Sequence, residues 1–295
     1  MGTFPCMKIG VLIFPTDQTI DPVELAREAE ARGFESLWFP EHSHIPTSRV
    51  TPWGGSEGAP PLPEFYWRTH DPFVSLAACA AVTSEIKVAT GICLVAQRDP
   101  IHTAKEVASL DRISNGRFLF GVGYGWNKEE MAHHGTVYTE RRALLRENIL
   151  TMRELWTEDE ASFDGEHVQL SSSWSWPKPT QTDGVNGGPP VIMGGNAGPK
   201  TAAHIAEFCD GWMPIGGRHP LDKWQTIVEA CESIDRDPET IERGVFGALP
   251  SEEKLTEMAT AGVSRGVLGL PQGPRDEVMA KLDEFAPLVA AMADA

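Results

Sequence analysis

One segment decides the fold: residues Ile86–Trp126 read IKVATGICLVAQRDPIHTAKEVASLDRISNGRFLFGVGYGW. The run Ile86–Leu94 is mostly apolar and contains β-branched residues, which is typical of a strand buried on both faces. Asp99-Pro100 predicts the start of a helix, because proline in the first turn loses no hydrogen bond. A second apolar run, Arg117–Val122, leads directly into Gly123–Trp126. This pattern predicts two parallel strands whose following loops share one rim, and in barrels that rim carries the chemistry.

The alternation of strand and helix continues along the whole chain. Each predicted strand is followed by a helical pattern, and the strands are Lys8–Phe14, Ser36–Pro40, Ile86–Leu94, Arg117–Val122, Val191–Met193, Gly211–Ile215, Gly244–Ala248 and Arg265–Leu270. The predicted helix Pro220–Ile234 is one of the connecting segments. A length of 295 residues suits one α/β barrel with insertions. The sequence therefore predicts a single (β/α)8 TIM barrel over residues 1–295.

Two long segments interrupt the alternation. Residues 47–70 are rich in Pro, Gly, Trp and Tyr, and residues 171–188 are rich in Ser, Trp, Pro and Gly. Loops of this length in compact domains are usually functional or disordered, and the aromatic content of residues 47–70 argues against disorder. We expect both segments to be insertion loops at the carboxyl-terminal rim, over the active site. A packing insertion or a subunit contact would have the same composition as residues 47–70. Ala161–Leu170 predicts a hairpin around Gly165.

The charge of the chain limits its partners. It has 25 basic and 42 acidic residues, a net charge of −17. Nucleic acid and anionic membranes are therefore not expected as partners. An anionic ligand would need local help from backbone N–H groups or a few cations. The sequence has no apolar run of the length that a membrane helix needs and no secretory signal at its start.

The cysteine pattern indicates a reducing compartment. The cysteines show no C-x-x-C spacing, and they are Cys6, Cys79, Cys93, Cys209 and Cys231. All but Cys6 lie in apolar runs, so we interpret them as reduced core thiols of a cytoplasmic protein. The first strand begins at Lys8, so Met1–Cys6 is interpreted as a dispensable extension and Met7 as an alternative start.

A glycine-rich turn after the fifth strand suggests an anion site. Gly194-Gly195-Asn196-Ala197-Gly198 stands between a strand and a helix. Backbone N–H groups in such a turn can point at an anion, and the helix dipole favours negative charge there. A tight turn without a ligand would show the same pattern. The nucleotide motif G-x-x-x-x-G-K-[ST] is absent, Gly121–Gly125 lacks the dinucleotide spacing, and no G-x-S-x-G nucleophile is present.

The second strand ends at Glu41-His42, on the same predicted rim. Histidine transfers protons near neutral pH, so His42 and Glu41 are the candidate catalytic residues. A hydrogen-bonded structural histidine is the alternative. His42-Ser43-His44 places two histidines on one face, but no cysteine or carboxylate cluster completes a ligand set, so no metal is expected.

The central segment also resembles a known family. The pattern G-R-F-x-F-G-x-G-x-G from Gly116, after a helix with D-x-x-S-x-G from Asp111, is similar to that of the bacterial luciferase-like superfamily. The resemblance extends from Lys8 to about Leu270. This superfamily includes flavin monooxygenases and oxidoreductases that use the deazaflavin F420, and the run E-H-x-H-I-P from Glu41 resembles its F420-using branch. The resemblance implies a homodimer as well.

The resemblance assigns expected roles to the rim. It implies that Glu41 and His42 lie beside the deazaflavin ring, that the Gly91-Ile92 bond is a cis peptide behind that ring, and that the glycine turn holds the cofactor phosphate. The residues expected to bind the cofactor are His42, Gly91, Ile92, Tyr124, Gly125, Gly195, Asn196, Ala197 and Gly198.

At Trp126 the chain departs from the family. The sugar-phosphate dehydrogenases of the F420 branch have a glutamate acid at this position, and tryptophan cannot supply a proton. This difference puts a sugar-phosphate substrate in doubt and predicts a more apolar one. The residues expected to line the substrate pocket are Trp53, Tyr66, Trp67 and Trp126, although aromatic residues are more often plain core.

Three functions remain open on the sequence. The first is an F420-dependent oxidoreductase that transfers a hydride between the deazaflavin and a small organic molecule. The second is an FMN-dependent monooxygenase that needs a partner reductase. The third is a barrel without catalysis that holds a flavin-like ligand or has lost it. The intact glycine turn and Glu41-His42 argue against the third.

Overall fold

The computed structural model describes residues 6–182, 184–185, 187–216 and 221–293. Three of the predictions made from the sequence fall partly on residues outside these ranges. These are the extension Met1–Cys6, the start of the helix Pro220–Ile234, and the segment 171–188, of which residues 183 and 186 are affected. At those positions the predictions lie outside the described residues.

Within the described ranges the chain alternates strands and helices. The strands are β1 (Lys8–Leu12), β2 (Ser36–Phe39), β3 (Lys87–Thr90), β4 (Phe118–Val122), β5 (Ala161–Asp164), β6 (Gln169–Ser173), β7 (Val191–Gly194), β8 (Gly211–Met213), β9 (Glu242–Phe246) and β10 (Arg265–Gly269). The helices are α1 (Pro22–Ala31), α2 (Phe65–Arg68), α3 (Pro72–Ala81), α4 (Pro100–Ile113), α5 (Lys128–His133), α6 (Arg141–Thr157), α7 (Pro199–Phe208), α8 (Trp224–Glu232), α9 (Glu252–Thr260) and α10 (Arg275–Ala293).

The barrel is closed and parallel. Its strands follow one another in the order β1-β2-β3-β4-β7-β8-β9-β10, and β10 pairs with β1. The predicted (β/α)8 fold is confirmed. Several strands are shorter than predicted. The third strand ends early because the residues after β3 turn away from the barrel through Gly91-Ile92 into a 3-10 turn at Val95–Gln97.

Local sequence explains several helix starts. Asp21, Asp71 and Asp99 cap α1, α3 and α4, and each accepts backbone N–H bonds from the first turn. Each of these aspartates is followed by a proline at the first helical position, whose missing N–H has no partner to lose. The repeated Asp-Pro pair therefore sets where the chain leaves the rim of the barrel and returns along the outside.

The base of the barrel holds a buried arginine. The side chain of Arg265 is 1% exposed, and its guanidinium pairs with Glu35 (2.9 Å) and Glu242 (2.7 Å) at the amino-terminal ends of the strands. Above it, the interior is filled by apolar side chains, namely Trp38, Ala89, Leu119, Ile192, Met213, Phe246 and Val267. The interior is therefore a packed core, and space for a ligand is expected at the opposite, carboxyl-terminal end.

The predicted hairpin is present as β5 and β6. Its turn is fixed to the outside of the barrel by Glu147 on α6, whose carboxylate accepts the N–H groups of Glu166, His167 and Val168 at 2.7–3.0 Å.

The placement of residues 171–188 over the rim is wrong for its described part. Thr180 and Gln181 bind Asp111 in the last turn of α4, and Gln181 also binds the carbonyl of Phe118 at the start of β4. Val185 donates to Asp210, just before β8. These contacts lie where barrel strands begin. After the hairpin, the chain must return to that end to start β7, and this segment is the return path.

The cysteines of the apolar runs are buried free thiols, namely Cys79, Cys93, Cys209 and Cys231, whereas Cys6 is exposed. None of the described helices combines the length and apolar character needed to cross a bilayer.

Candidate active site

A cavity of about 710 Å³ lies at the carboxyl-terminal ends of the barrel strands. Ten of the predicted site residues line it: Glu41, His42, Tyr66, Gly91, Ile92, Tyr124, Gly125, Trp126, Gly195 and Asn196. Its volume is in the range of pockets that enclose a ligand of cofactor size. The loops that follow β2, β3, β4 and β7 thus meet at one site, as the barrel topology requires.

The floor of the cavity is the turn after β3. The peptide bond between Gly91 and Ile92 is cis, as the family resemblance implied. The Ile92 side chain lies between two strand ends that carry glycine. A Cβ atom added at Gly123 would lie 2.7 Å from Ile92 Cδ1, and one added at Gly194 would lie 2.7 Å from Ile92 Cγ2. Both glycines are therefore needed for Ile92 to reach the centre of the rim.

His42 is buried in the wall of the cavity, and its partner is Glu130 of α5. His42 Nδ1 lies 2.7 Å from Glu130 Oε2, and the Glu130 side chain is fully buried. The other oxygen, Oε1, accepts the backbone N–H of Ser43 at 3.2 Å. An ionised carboxylate only accepts hydrogen bonds, so it holds the proton on Nδ1. Nε2 is then the ring nitrogen left to accept or return a proton at a ligand in the cavity.

Glu41 is held by a different partner. Its Oε2 accepts the N–H of Leu94 at 2.6 Å, and its Oε1 accepts from Arg98 Nε at 2.6 Å. Arg98 also pairs with Glu106 and Asp71 and covers the ring of Phe73. Both carboxylate oxygens of Glu41 are occupied by protein donors. This arrangement indicates that Glu41 positions the turn after β3. A catalytic role for Glu41 stays a prediction.

The opposite end of the cavity is cationic. Arg141 and Arg142, in the first turn of α6, line it together with Gly194, Gly195 and Asn196 before α7. Arg142 donates to Thr201 Oγ1 at 2.7 Å, in the first turns of α7. The Nε atom of Arg141 is buried without a hydrogen-bond partner among the described residues. Two arginines and a helix amino terminus together fit an anionic group such as a phosphate.

Tyr124 connects this end to α7. Its ring lies under the guanidinium of Arg142, 4.1 Å away, and its hydroxyl is 2.8 Å from His204 Nδ1. Burial raises the pKa of Tyr124 to about 12 and lowers the pKa of His204 to about 4. Near neutral pH both side chains are therefore uncharged, and the positive charge at this end comes from the arginines.

Two of the predicted cofactor residues do not line the cavity. The Ala197 side chain is fully buried in the core, and Gly198 is the N-cap of α7. The Ala197 side chain cannot reach a ligand and Gly198 has none, so any part of these residues in binding an anion has to come from the backbone and stays a prediction.

The aromatic wall differs from expectation. Tyr66 and Trp126 line the cavity and contact the His42 ring and each other, with centroids 5.1 and 5.8 Å from the imidazole and 6.2 Å apart. Trp67 is 49% exposed and does not line it, because successive residues of the short helix α2 point in different directions. Trp53 is also absent from the lining and contacts Tyr66 from behind, edge to face at 5.8 Å. Neither Trp53 nor Trp67 lines this cavity, and a part for either in substrate binding stays a prediction.

The segment 47–70 forms one side of the cavity through Gly54, Gly55 and Tyr66. It is fixed to α5 by Glu129, whose Oε1 accepts the N–H groups of Val50 (3.0 Å) and Thr51 (3.1 Å). Burial raises the pKa of Glu129, but hydrogen bonds from Thr51 and Val50 outweigh this effect and lower the pKa to about 2. The carboxylate is therefore ionised, and the contact persists across the neutral range.

Sequence reasoning missed three of these groups. Arg141 and Arg142 carried a usable signal, because cations in the first turn of a helix oppose its dipole and need another reason to be there. Glu130 carried no such signal, since it lies 88 residues from His42. Among the described residues, no cluster of three or more His, Cys, Asp or Glu side chains has the geometry of a metal site.

Comparison with known proteins identifies the family. The model of the luciferase-like monooxygenase family matches residues 7–285. This chain belongs to that family. A relative from Mycobacterium tuberculosis, the uncharacterized protein Rv0953c, is 37% identical over 289 residues, which are 96% of this chain and 99% of the relative.

Two other proteins that are similar to this chain have names that state an activity. The F420-dependent hydroxymycolic acid dehydrogenase of Mycobacterium tuberculosis is 26% identical, over 97% of this chain and 74% of the relative. The crystal structure of monooxygenase RslO1 from Streptomyces bottropensis has the same fold, with a TM-score of 0.76 at 18% identity, over 96% of this chain and 99% of that one. The dehydrogenase is an oxidoreductase, and this relative and the family together support that class for the chain.

Proposed function

We propose that this protein is an F420-dependent oxidoreductase that transfers a hydride between the deazaflavin and a fairly apolar organic molecule. The observation that carries the proposal is the polarity of the cavity. The His42–Glu130 pair stands on one side, and Arg141, Arg142 and the start of α7 stand at the other end. A flavin-type cofactor has the matching shape, a planar redox ring joined to a phosphate. The named activity of the hydroxymycolic acid dehydrogenase favours F420.

The chain's own residues would bind and orient the cofactor. Arg142, Arg141 and the backbone of the glycine turn would hold the phosphate, and the Gly91-Ile92 turn would support the ring from below. When bound, F420 supplies a ring carbon that gives or accepts a hydride. His42 Nε2 would exchange a proton with the substrate, and Glu130 would hold the imidazole in the tautomer that leaves Nε2 free.

The apolar nature of the substrate follows from the wall beside His42. Tyr66 and Trp126 face the ring there, and the carboxylate of Glu41 is neutralised by Arg98. Trp126 replaces the glutamate of the sugar-phosphate dehydrogenases. The proposed substrate therefore presents an oxygen or nitrogen to His42 and apolar surface to the two aromatic rings.

An FMN-dependent monooxygenase is the second candidate. The description of the matching family and the fold likeness to RslO1 favour it. It would require reduced FMN from a partner reductase.

Titration of the purified protein with F420 and, separately, with FMN tests the proposal through the fluorescence of each. We expect binding of F420 at micromolar concentration or below, and weaker binding of FMN. Tighter binding of FMN would favour the monooxygenase, to be tested by oxygen consumption with reduced FMN. If neither binds at micromolar concentration, the oxidoreductase proposal fails and a barrel without catalysis takes its place.

A further inference from the structure

A side cavity of about 350 Å³ lies behind His42. It shares Glu41, His42 and Leu94 with the active-site cavity and is otherwise lined mainly by polar groups, including Ser43, Glu130 and His134. A water molecule takes up about 30 Å³ in the liquid, so a polar cavity of this size has room for on the order of ten. Water in this cavity can therefore reach the buried His42–Glu130 pair.

Proton-carrying groups continue from this cavity to the surface. Ser43 Oγ lies 2.7 Å from His134 Nε2 and 2.9 Å from His44 Nδ1, and His44 Nε2 lies 2.9 Å from His133 Nδ1. Ser43, His133 and His134 are exposed. Burial and the neighbouring His44 lower the pKa of His134, so its imidazole releases a proton readily near neutral pH. Hydroxyl and imidazole groups both donate and accept hydrogen bonds, as a proton path requires.

We propose that Glu130 and the side cavity form a proton route between His42 and the solvent, separate from the mouth of the active site. The inference rests on the proposed function, because that function requires His42 to exchange a proton with the substrate. A proton taken up at Nε2 makes the ring cationic beside the Glu130 carboxylate. The Nδ1 proton then passes to Oε2, and from Oε2 to water in the side cavity and past His134 to the solvent. The reverse sequence delivers a proton.

The route has a physical purpose. A cofactor and a substrate together would occupy the active-site cavity, where His42 already contacts Tyr66 and Trp126. Solvent would then have no access to the imidazole from that side. The side cavity stays open under these conditions, so His42 can exchange its proton while the ligands are in place.

The exchange rate of the His42 Nδ1 proton with water tests the route without any measurement of activity. The rate is read by NMR saturation transfer on protein with 15N-labelled histidine, with and without F420. Ser43→Leu places an apolar side chain beside the side cavity, and His134→Phe keeps a ring of similar size without nitrogen atoms. His102→Phe is the control, because that side chain is 89% exposed on α4, away from both cavities.

We expect wild-type exchange to persist when F420 is bound, and each of the two variants to slow it by about tenfold. The control should exchange like wild type. Wild-type exchange that stops on F420 binding, or variants that exchange as fast as wild type, would overturn the route. If F420 does not bind, the proposed function fails, but the variants still test the route in the free protein. Ser43 and His134 are both exposed, so neither substitution should disturb folding. If one variant does not fold, the exchange rate in the other still tests the route.

Discussion

Arg98 Nε lies 2.6 Å from Glu41 Oε1, and this ion pair connects the end of β2 to the segment that leads into α4. The two side chains are 16% and 7% exposed, so the pair is largely shielded from water. The same guanidinium binds Asp71 at the start of α3 and Glu106 on α4. One arginine thus pairs with three carboxylates and offsets part of their negative charge, and the position of Leu94 depends on it through Glu41.

Arg98→Met should therefore be more harmful than Glu41→Gln. Methionine keeps the packing on Phe73 but leaves the buried carboxylate of Glu41 unpaired, so we expect a loss of about 3 kcal/mol in the free energy of unfolding. Glu41→Gln leaves Arg98 with two carboxylate partners and should cost about 1 kcal/mol. Urea unfolding of both variants measures the difference. Equal losses would show that Glu41 does not depend on Arg98 for its charge.

The Ile92 side chain gives a prediction about two glycines. Gly123→Ala places a methyl group against Ile92 Cδ1, and Gly194→Ala places one against Cγ2. Each should lower the free energy of unfolding by about 1–3 kcal/mol, because the core is close-packed there. Ile92→Val removes only Cδ1, so it should restore part of the stability of Gly123→Ala and none of that of Gly194→Ala. Urea unfolding of the three single variants and of Ile92→Val combined with each glycine variant checks this, and rescue of both or of neither would contradict it.

The sequence was sufficient for the barrel and for one half of the site. Periodicity and Asp-Pro starts place the strands and helices, and the topology then brings His42, Gly91, Tyr124 and Gly195 to one rim. The sequence was not sufficient to predict contacts between side chains that lie far apart in the chain. Glu130 reaches His42 from α5, and no local pattern connects the two residues.

Composition also did not predict which way a side chain faces or which end of the barrel a loop covers. Trp67 belongs to an aromatic segment at the cavity, yet it is half exposed while its neighbour Tyr66 faces the ligand side. The segment 171–188 resembles residues 47–70 in composition, yet Thr180 and Gln181 in its described part contact the other end of the barrel. Which face a loop covers depends on where the next strand must begin, and composition does not contain that information.

The ion pair between Glu35 and Arg265 at the base of the barrel predicts that the protein loses stability in acid. Burial raises the pKa of Glu35, but the charge and hydrogen bonds of Arg265 outweigh it and lower the pKa from 4.5 to about 2. A carboxyl whose pKa is depressed by folding stabilises the protein above its unfolded pKa. That stability, about 3 kcal/mol, disappears as the pH falls from 4.5 to 2.

Glu35→Gln should remove this part of the pH dependence. Urea unfolding at a series of pH values should show a smaller loss between neutral and acidic pH in the variant than in wild type. Glu57→Gln, at an exposed position, is the matched control and should follow wild type. Parallel curves for wild type and Glu35→Gln would contradict the assignment of this stability to the Glu35–Arg265 pair.

Arg142 offers the most direct test of the anionic end of the cavity. Its guanidinium is held by Tyr124 and Thr201 and lines the cavity beside the glycine turn. Arg142→Ala should raise the dissociation constant for F420 roughly tenfold or more, because a charge-assisted hydrogen bond to phosphate is lost. Arg112→Ala makes the same change in net charge at an exposed position on α4 and should bind F420 like wild type. Fluorescence titration of both variants at one ionic strength gives the comparison. An equal effect in the two would indicate a response to overall charge, and no effect in Arg142→Ala would place the phosphate elsewhere.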